Sequence, residues 1–198
     1  MKFRAFIAVD LEGGLRAEKV LAELRTSGAD LKPVELRNLH LTIRFLGDTE
    51  ETRVGDIRRA MEESVRGVAP FELRFRGLGV FPNQNYIKVV WIGLEGAEPL
   101  SLIAGRLDES LAKLGFCKEG KFSPHLTVAR VKSPRNRDRL TGLLKEHEGE
   151  DLGSMTVGKV ALKKSVLSSA GPTYTTVEEV TLGSKENEGT GVGVQGTG

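Results

Sequence analysis

The chain has 198 residues, 39% hydrophobic and 28% charged, which suffices for one domain with a buried core and does not fit a disordered chain. Its net charge of +2 excludes a histone-like polycation, and no apolar run approaches the roughly 18 residues that a membrane span needs. The single cysteine, Cys117, excludes an internal disulfide and a four-cysteine zinc site, and the start MKFRAFIAVD lacks a secretory stretch, so a reduced, cytoplasmic protein is expected.

Residues 2–9 are β-rich and lead into a helical stretch from Leu11 to Thr26, with Leu15, Val20, Leu21 and Leu24 on an apolar stripe. Residues 39–46, LHLTIRFL, alternate as a strand, Gly47-Asp48 punctuates it, and Thr49 to Arg66 is a helix opened by Glu50 and Glu51. Residues 71–78 and 85–92 form a strand pair across FPNQN. A third helix carries Leu100, Ile103, Ala104, Leu107, Leu111 and Leu114 on one face and stops at Gly115. Residues 125–131 are a strand, Ser133-Pro134 opens a fourth helix, and 155–167 and 173–181 close the chain as two β-type runs. This order predicts an α+β sandwich with mostly antiparallel pairing. Residues 1–183 form one domain, and the Gly-rich residues 184–198 form a disordered tail, since they cannot bury enough surface to offset their ordering entropy.

The 16 arginines are clustered: Arg74 lies two residues from Arg76, and Lys132, Arg135, Arg137 and Arg139 fall within eight residues. A guanidinium fork suits phosphate. A solvated, salt-bridged surface is the ordinary reading of such clusters.

Two of the three histidines share a context: His40-Leu41-Thr42-Ile43 and His125-Leu126-Thr127-Val128, 85 residues apart, each in a strand followed by a helix. The chain therefore resembles two related halves. Alternation puts His40 and Thr42 on one strand face, roughly 6–7 Å apart, and His125 and Thr127 likewise. Leu39, Leu41, Ile43 and Phe45 take the opposite face, under the helices. With the halves related by a pseudo-two-fold, two imidazoles and two hydroxyls converge. One imidazole can then act as base and the other as acid while the hydroxyls donate to a phosphate. No metal is demanded. A structural histidine in each strand is the plain alternative.

These motifs resemble the twin signature of the 2H phosphoesterase superfamily. The strings LHLTIRFLGD, FPNQNYIKVVWIG, LAKLGFCKEGKFSPHLTVARVK and LKKSVLSSAGPTY are similar to the RNA 2',3'-cyclic phosphodiesterases, or 2'-5' RNA ligases, from Arg4 to about Leu182. The resemblance implies two pseudo-symmetric lobes, each an antiparallel-rich sheet with helices outside, around a central groove. It implies hydrolysis of RNA 2',3'-cyclic phosphate ends to 2'-phosphomonoesters without metal or cofactor, with 2'-5' ligation as a further activity in some members. His40 and His125 are then catalytic, and Thr42, Thr127 and Arg130 bind the substrate phosphate. The implied partner is RNA with a cyclic phosphate terminus; no membrane or protein partner is implied, and a monomer is expected. An RNA-end-binding module without turnover and a phosphodiesterase on small cyclic nucleotides are the alternatives.

Several further residues carry expectations. Strict alternation sends Arg130 to the face opposite His125 and Thr127, so a bulge after Ala129 or the strand end must swing it into the groove. Arg44 shares the face of His40 and Thr42, about 13 Å from His40, within reach of an RNA backbone phosphate. Phe81, Tyr86 and Phe122 can stack a base or fill the core, and Trp91 belongs to the core. His147 is expected to be solvated and Cys117 structural, and Asp10 reads as a cap or turn residue. Arg130 and Lys132 crowd the second motif, which favours His125 as the base and His40 as the acid.

Overall fold

A computed structural model describes residues 1–168 and 171–183; the tail expected at 184–198 lies outside the described residues. Apolar alternation at the N terminus produces strand β1 (Lys2–Asp10), which pairs antiparallel with β3 (His40–Glu50) on one side and β8 (Lys159–Ser168) on the other. With β9 (Gly171–Thr181) they make a four-stranded sheet of order β3-β1-β8-β9. The second sheet has the order β2-β6-β5-β4-β7, built from β2 (Leu31–Pro33), β4 (Phe71–Asn83), β5 (Tyr86–Glu95), β6 (Leu126–Val131) and β7 (Asp151–Val157).

Helices cover the apolar side of each sheet. Helices α2 (Val54–Val65) and α3 (Glu98–Lys113) lie on the first sheet. Helices α1 (Glu18–Thr26) and α4 (Arg137–Glu146) lie on the second. The stripe predicted for α3 is its buried face: Leu100, Ile103, Leu107 and Leu111 are fully buried. Burying one such side chain contributes about 1.5–3 kcal/mol, which is why the amphipathic pattern dominates local propensity here. The expected α+β architecture of two antiparallel sheets with outer helices is the one observed. No helix among the described residues is long and apolar enough to cross a membrane.

Several elements differ from the sequence reading, and four of the differences arise through tertiary pairing. Residues 11–17 are not helical; Leu15 bridges Gly153 and the Arg16 N–H donates to the Leu152 carbonyl, so this segment is held to β7. Strand β3 runs through Gly47-Asp48 to Glu50, because β1 pairs along its whole length, and Gly47 sits at positive φ (69°) in the resulting bulge. The run 155–167 breaks at Gly158, where the chain leaves the second sheet for the first. Strand β2 is three residues held only by β6, too short to carry a periodicity of its own.

The lobes are not successive halves of the chain. Strand β3 lies in the first sheet and β6 in the second, and the two approach each other. β3 opens with one His-x-Thr motif, the other spans the entry to β6 with His125 just before it, and both reach the same interior groove.

His147 is not solvated. It is 3% exposed, with its Nδ1 bonded to Glu150 and its Nε2 to Glu23, so one imidazole ties α1 to the end of α4. A helix-end histidine flanked by glutamates looks solvated in sequence; the partner on α1 is invisible there. Burial opposes its charge, but the two carboxylates outweigh burial and hold its pKa above the ordinary value. Both bonds need both N–H groups, hence the imidazolium. The stabilisation is therefore complete below about pH 6.5, the unfolded value, and is lost as pH rises through the raised folded value. We expect His147→Gln to cost about 1–2 kcal/mol at pH 6, and the gap in melting temperature from the wild type to narrow toward pH 9. A gap that stays constant with pH would refute the charged bridge.

Candidate active site

A cavity of about 1040 Å³ lies between the sheets, and His40, Thr42, His125, Thr127 and Arg130 all line it. The five residues singled out in the sequence are thus brought together.

The imidazoles are held alike. Each Nδ1–H donates to the carbonyl two residues earlier: His40 to Asn38 at 2.8 Å, His125 to Ser123 at 2.7 Å. A carbonyl only accepts, so Nδ1 carries the proton and Nε2 is the free nitrogen of the neutral ring. Asn38 ends a 3-10 turn (Leu36–Asn38), and its side chain donates to the Pro172 carbonyl, which fixes the carbonyl that orients His40. Among the described residues the hydroxyls of Thr42 and Thr127 have no hydrogen-bond partner, so both remain able to donate to a ligand.

Arg130 reaches the groove through a bulge, placed one residue earlier than alternation suggests. Trp91 pairs with Thr127 but Val90 pairs with Ala129, leaving Val128 as the extra residue. Val128 and Ala129 are consecutive and both fully buried, and Arg130 returns to the groove side. The first motif does the same. Ala8 pairs with Thr42 but Ile7 with Arg44, leaving Ile43 extra; Ile43 and Arg44 are both 3% exposed, and Phe45 returns to the groove, 58% exposed. Two expectations are corrected by this extra residue. Phe45 is not under the helices but in the groove wall, and Arg44, although it borders the cavity, is buried with its guanidinium turned to carboxylates. The Arg44 guanidinium sits 3.1 Å from Asp108 and 3.2 Å from Glu119 and donates to the Cys117 carbonyl. It braces the loop that leads into His125 against β3 and α3.

The two lobes differ at equivalent places. Five residues after His40 stands Phe45; five after His125 stands Arg130. Applying the 85-residue repeat to Arg130 locates Phe45 in the sequence. The first-lobe wall is aromatic. Tyr174 packs edge-on to His40 at 4.9 Å and to Phe6 at 5.2 Å, and Phe6 is 4.9 Å from His40 and 6.3 Å from Phe45. Tyr174 is missed by sequence reasoning, since strand alternation alone does not say which sheet face meets the groove. Burial raises its phenol pKa. On the second lobe Phe81 packs edge-on to His125 at 4.9 Å and lies 5.2 Å from Trp91. Trp91 is only half-buried and lies against Gly79, where a Cβ would meet its ring at 2.1 Å, so any larger residue there would displace the indole. Phe122 is partly buried and lines the groove. Tyr86 is exposed and lines a different cavity, and Cys117 is exposed.

Burial lowers the pKa of His40. The Asn38 carbonyl and Asp10, its cross-strand neighbour, oppose that; Lys163 and Arg130 add to it. Asp10 is no turn residue: Lys163, 7% exposed, donates to both its carboxylate oxygens and to Thr176. The sequence argument for ranking the histidines fails here, because Arg130 bears on His40 and Lys132 lies outside the groove. We expect His40 to titrate below 6.5 in an NMR titration of the free protein, and Asp10→Asn to move it lower still, since the carboxylate is the nearby charge favouring the imidazolium. An upward shift on that substitution would contradict the geometry.

Among the described residues no three His, Cys, Asp or Glu side chains cluster in a way that could hold a metal ion.

The chain matches the model of the 2'-5' RNA ligase superfamily over residues 14–166. It is 47% identical to the RNA 2',3'-cyclic phosphodiesterase of Methanothermobacter thermautotrophicus over 180 residues, covering 90% of this chain and 98% of that protein. The RNA 2',3'-cyclic phosphodiesterase of Methanocaldococcus jannaschii is 32% identical over 176 residues, covering 89% and 99%. A crystal structure from Thermus thermophilus superposes with a TM-score of 0.73 at 31% identity, covering 90% of this chain and 97% of that one. A groove flanked by two equivalently bulged His-x-Thr strands and a match across most of the chain agree: the chain belongs to the 2'-5' RNA ligase superfamily.

Proposed function

We propose that this chain hydrolyses RNA 2',3'-cyclic phosphate ends to 2'-phosphomonoesters. The observation that carries the reading is the matched pair of imidazoles. Each has Nδ1 committed to a backbone carbonyl and Nε2 free, in one groove with a guanidinium and two unpartnered hydroxyls. The names of the relatives support the choice of substrate.

The chemistry follows from these groups. One Nε2 takes a proton from water as its oxygen bonds to phosphorus, opposite the 3'-oxygen. The other Nε2 gives a proton to the 3'-oxygen as the phosphorus–O3' bond breaks, leaving the phosphate on O2'. Arg130 and the hydroxyls of Thr42 and Thr127 donate to the non-bridging oxygens, where charge accumulates. The aromatic wall of Phe6, Phe45 and Tyr174 offers stacking area for the terminal nucleoside. A 5'-hydroxyl of a second RNA in place of water forms a 2'-5' linkage by the same proton transfers, which accords with the superfamily's description. A phosphate anion between the rings raises the proton affinity of both, so acid and base are assigned in the complex rather than in the free protein.

His40→Ala and His125→Ala should each lower kcat about 10²–10⁴-fold, while Thr42→Ala and Thr127→Ala should cost about 1–3 kcal/mol of transition-state stabilisation. Activity should persist in EDTA, because every proton and charge in the scheme is handled by side chains. The decisive measurement incubates the protein with RNA ending in a 2',3'-cyclic phosphate and identifies the terminus. A 3'-phosphate product, or activity that EDTA abolishes and a divalent ion restores, would sink the scheme. A substrate with sulfur at the 3' position needs little protonation, so it rescues the variant that lacks the acid.

A further inference from the structure

A second cavity, of about 230 Å³, opens where β5 begins and β6 ends, beside the first turn of α4. Its rim carries Lys88, Lys132, Arg135 and Arg137, all exposed, and no carboxylate lines it. None of the four forms an ion pair among the described residues. The other arginine cluster is salt-bridged: Arg74 pairs with Glu72 and Arg76 with Glu95. The two arginine clusters noted in the sequence are thus of different kinds.

The rim is also braced. The Ser133 hydroxyl donates to Asp30 at 2.6 Å, and the Lys132 N–H donates to the Asp30 carbonyl. Asn136, at positive φ (52°), donates from its side chain to the Gly28 carbonyl, and Arg137 donates to the Asn85 carbonyl of the β4–β5 hairpin. In that hairpin Asn83 accepts from the N–H groups of Asn85 and Tyr86. Tyr86 is 59% exposed, with the Lys88 ammonium 4.8 Å from its ring centre. An exposed aromatic face among unpaired cations on a rigid turn matches the chemistry of single-stranded nucleic acid, whose bases stack and whose phosphates need cations.

The two cavities border the same two strands, and alternation sets them on opposite faces of the sheet, so RNA passing from one to the other rounds the ends of β5 and β6. Val89 and Arg130 line the catalytic groove, and the adjoining Lys88 and Val131 line the second cavity. A cyclic phosphate closes the 3' end of an RNA, so the rest of the strand must leave the groove in the 5' direction. We infer that this basic cavity is a docking site for the single-stranded RNA that continues 5' of the reacting nucleotide. The inference rests on the proposed function, and it predicts a preference for oligonucleotides over a lone nucleotide.

The test compares wild type with Lys132→Glu/Arg135→Glu, two exposed positions, on 2',3'-cyclic AMP and on a single-stranded ten-nucleotide RNA with a 2',3'-cyclic phosphate end. Melting temperature serves as the check on folding. We expect kcat/KM for the oligonucleotide to fall at least tenfold and that for cyclic AMP to hold within twofold. Removing two phosphate contacts should also flatten the salt dependence of oligonucleotide binding, by about sevenfold between 50 and 200 mM salt. Anisotropy with a fluorescent ten-nucleotide RNA reads binding without turnover, so the site can be judged even if neither substrate is hydrolysed, an outcome that would overturn the proposed function alone. Equal losses on both substrates, an unchanged oligonucleotide rate with unchanged binding, or competition by polyglutamate as strong as by RNA would each overturn the docking site. A second variant, Tyr86→Ala, should weaken oligonucleotide binding while leaving cyclic AMP turnover unchanged.

Discussion

One extra residue in each histidine strand organises the groove. A strand alternates its faces, so a histidine, the threonine two positions on and a residue three further on cannot share a face without a break in register. Ile43 and Val128 supply that break, and each is followed by a second buried residue, Arg44 or Ala129. The same distortion in both lobes therefore yields two three-residue groove faces, His40/Thr42/Phe45 and His125/Thr127/Arg130. Without it Arg130 would lie in the core layer, and its guanidinium could not meet a phosphate between the histidines.

The repeated frame also makes the lobes unequal in a useful way. Equivalent positions carry a phenyl ring on one side and a guanidinium on the other. One wall of the groove is suited to a nucleoside and the opposite wall to its phosphate. The buried charges are placed around this frame. Arg44, on the helix side of the first bulge, holds the loop entering the second motif. The buried Lys163 pairs with the partly exposed Asp10 beside His40. Such groups are costly to bury unless partnered, and each here ties together segments distant in sequence.

What the sequence determined was the local and the periodic. The order of the main elements, the apolar face of α3 and the two His-x-Thr strands were all legible, because burial imposes a period of 3.6 or 2 on the residues it covers. The repeat also picked out four groove residues, His40, Thr42, His125 and Thr127, and the family resemblance added Arg130. Tertiary structure alone decided what depends on a partner strand. A bulge is a mismatch between two strands, so the positions of Ile43 and Val128 have no signature in their own strands, and alternation exchanges the faces of Phe45 and Arg44. The same holds for the break at Gly158, where only the pairing shows that one β-rich run serves two sheets. His147 and the cation cluster from Lys132 to Arg137 make the point for charge. Whether a charged group is solvated, paired or left free is set by carboxylates far along the chain, Glu23 in one case and none in the other.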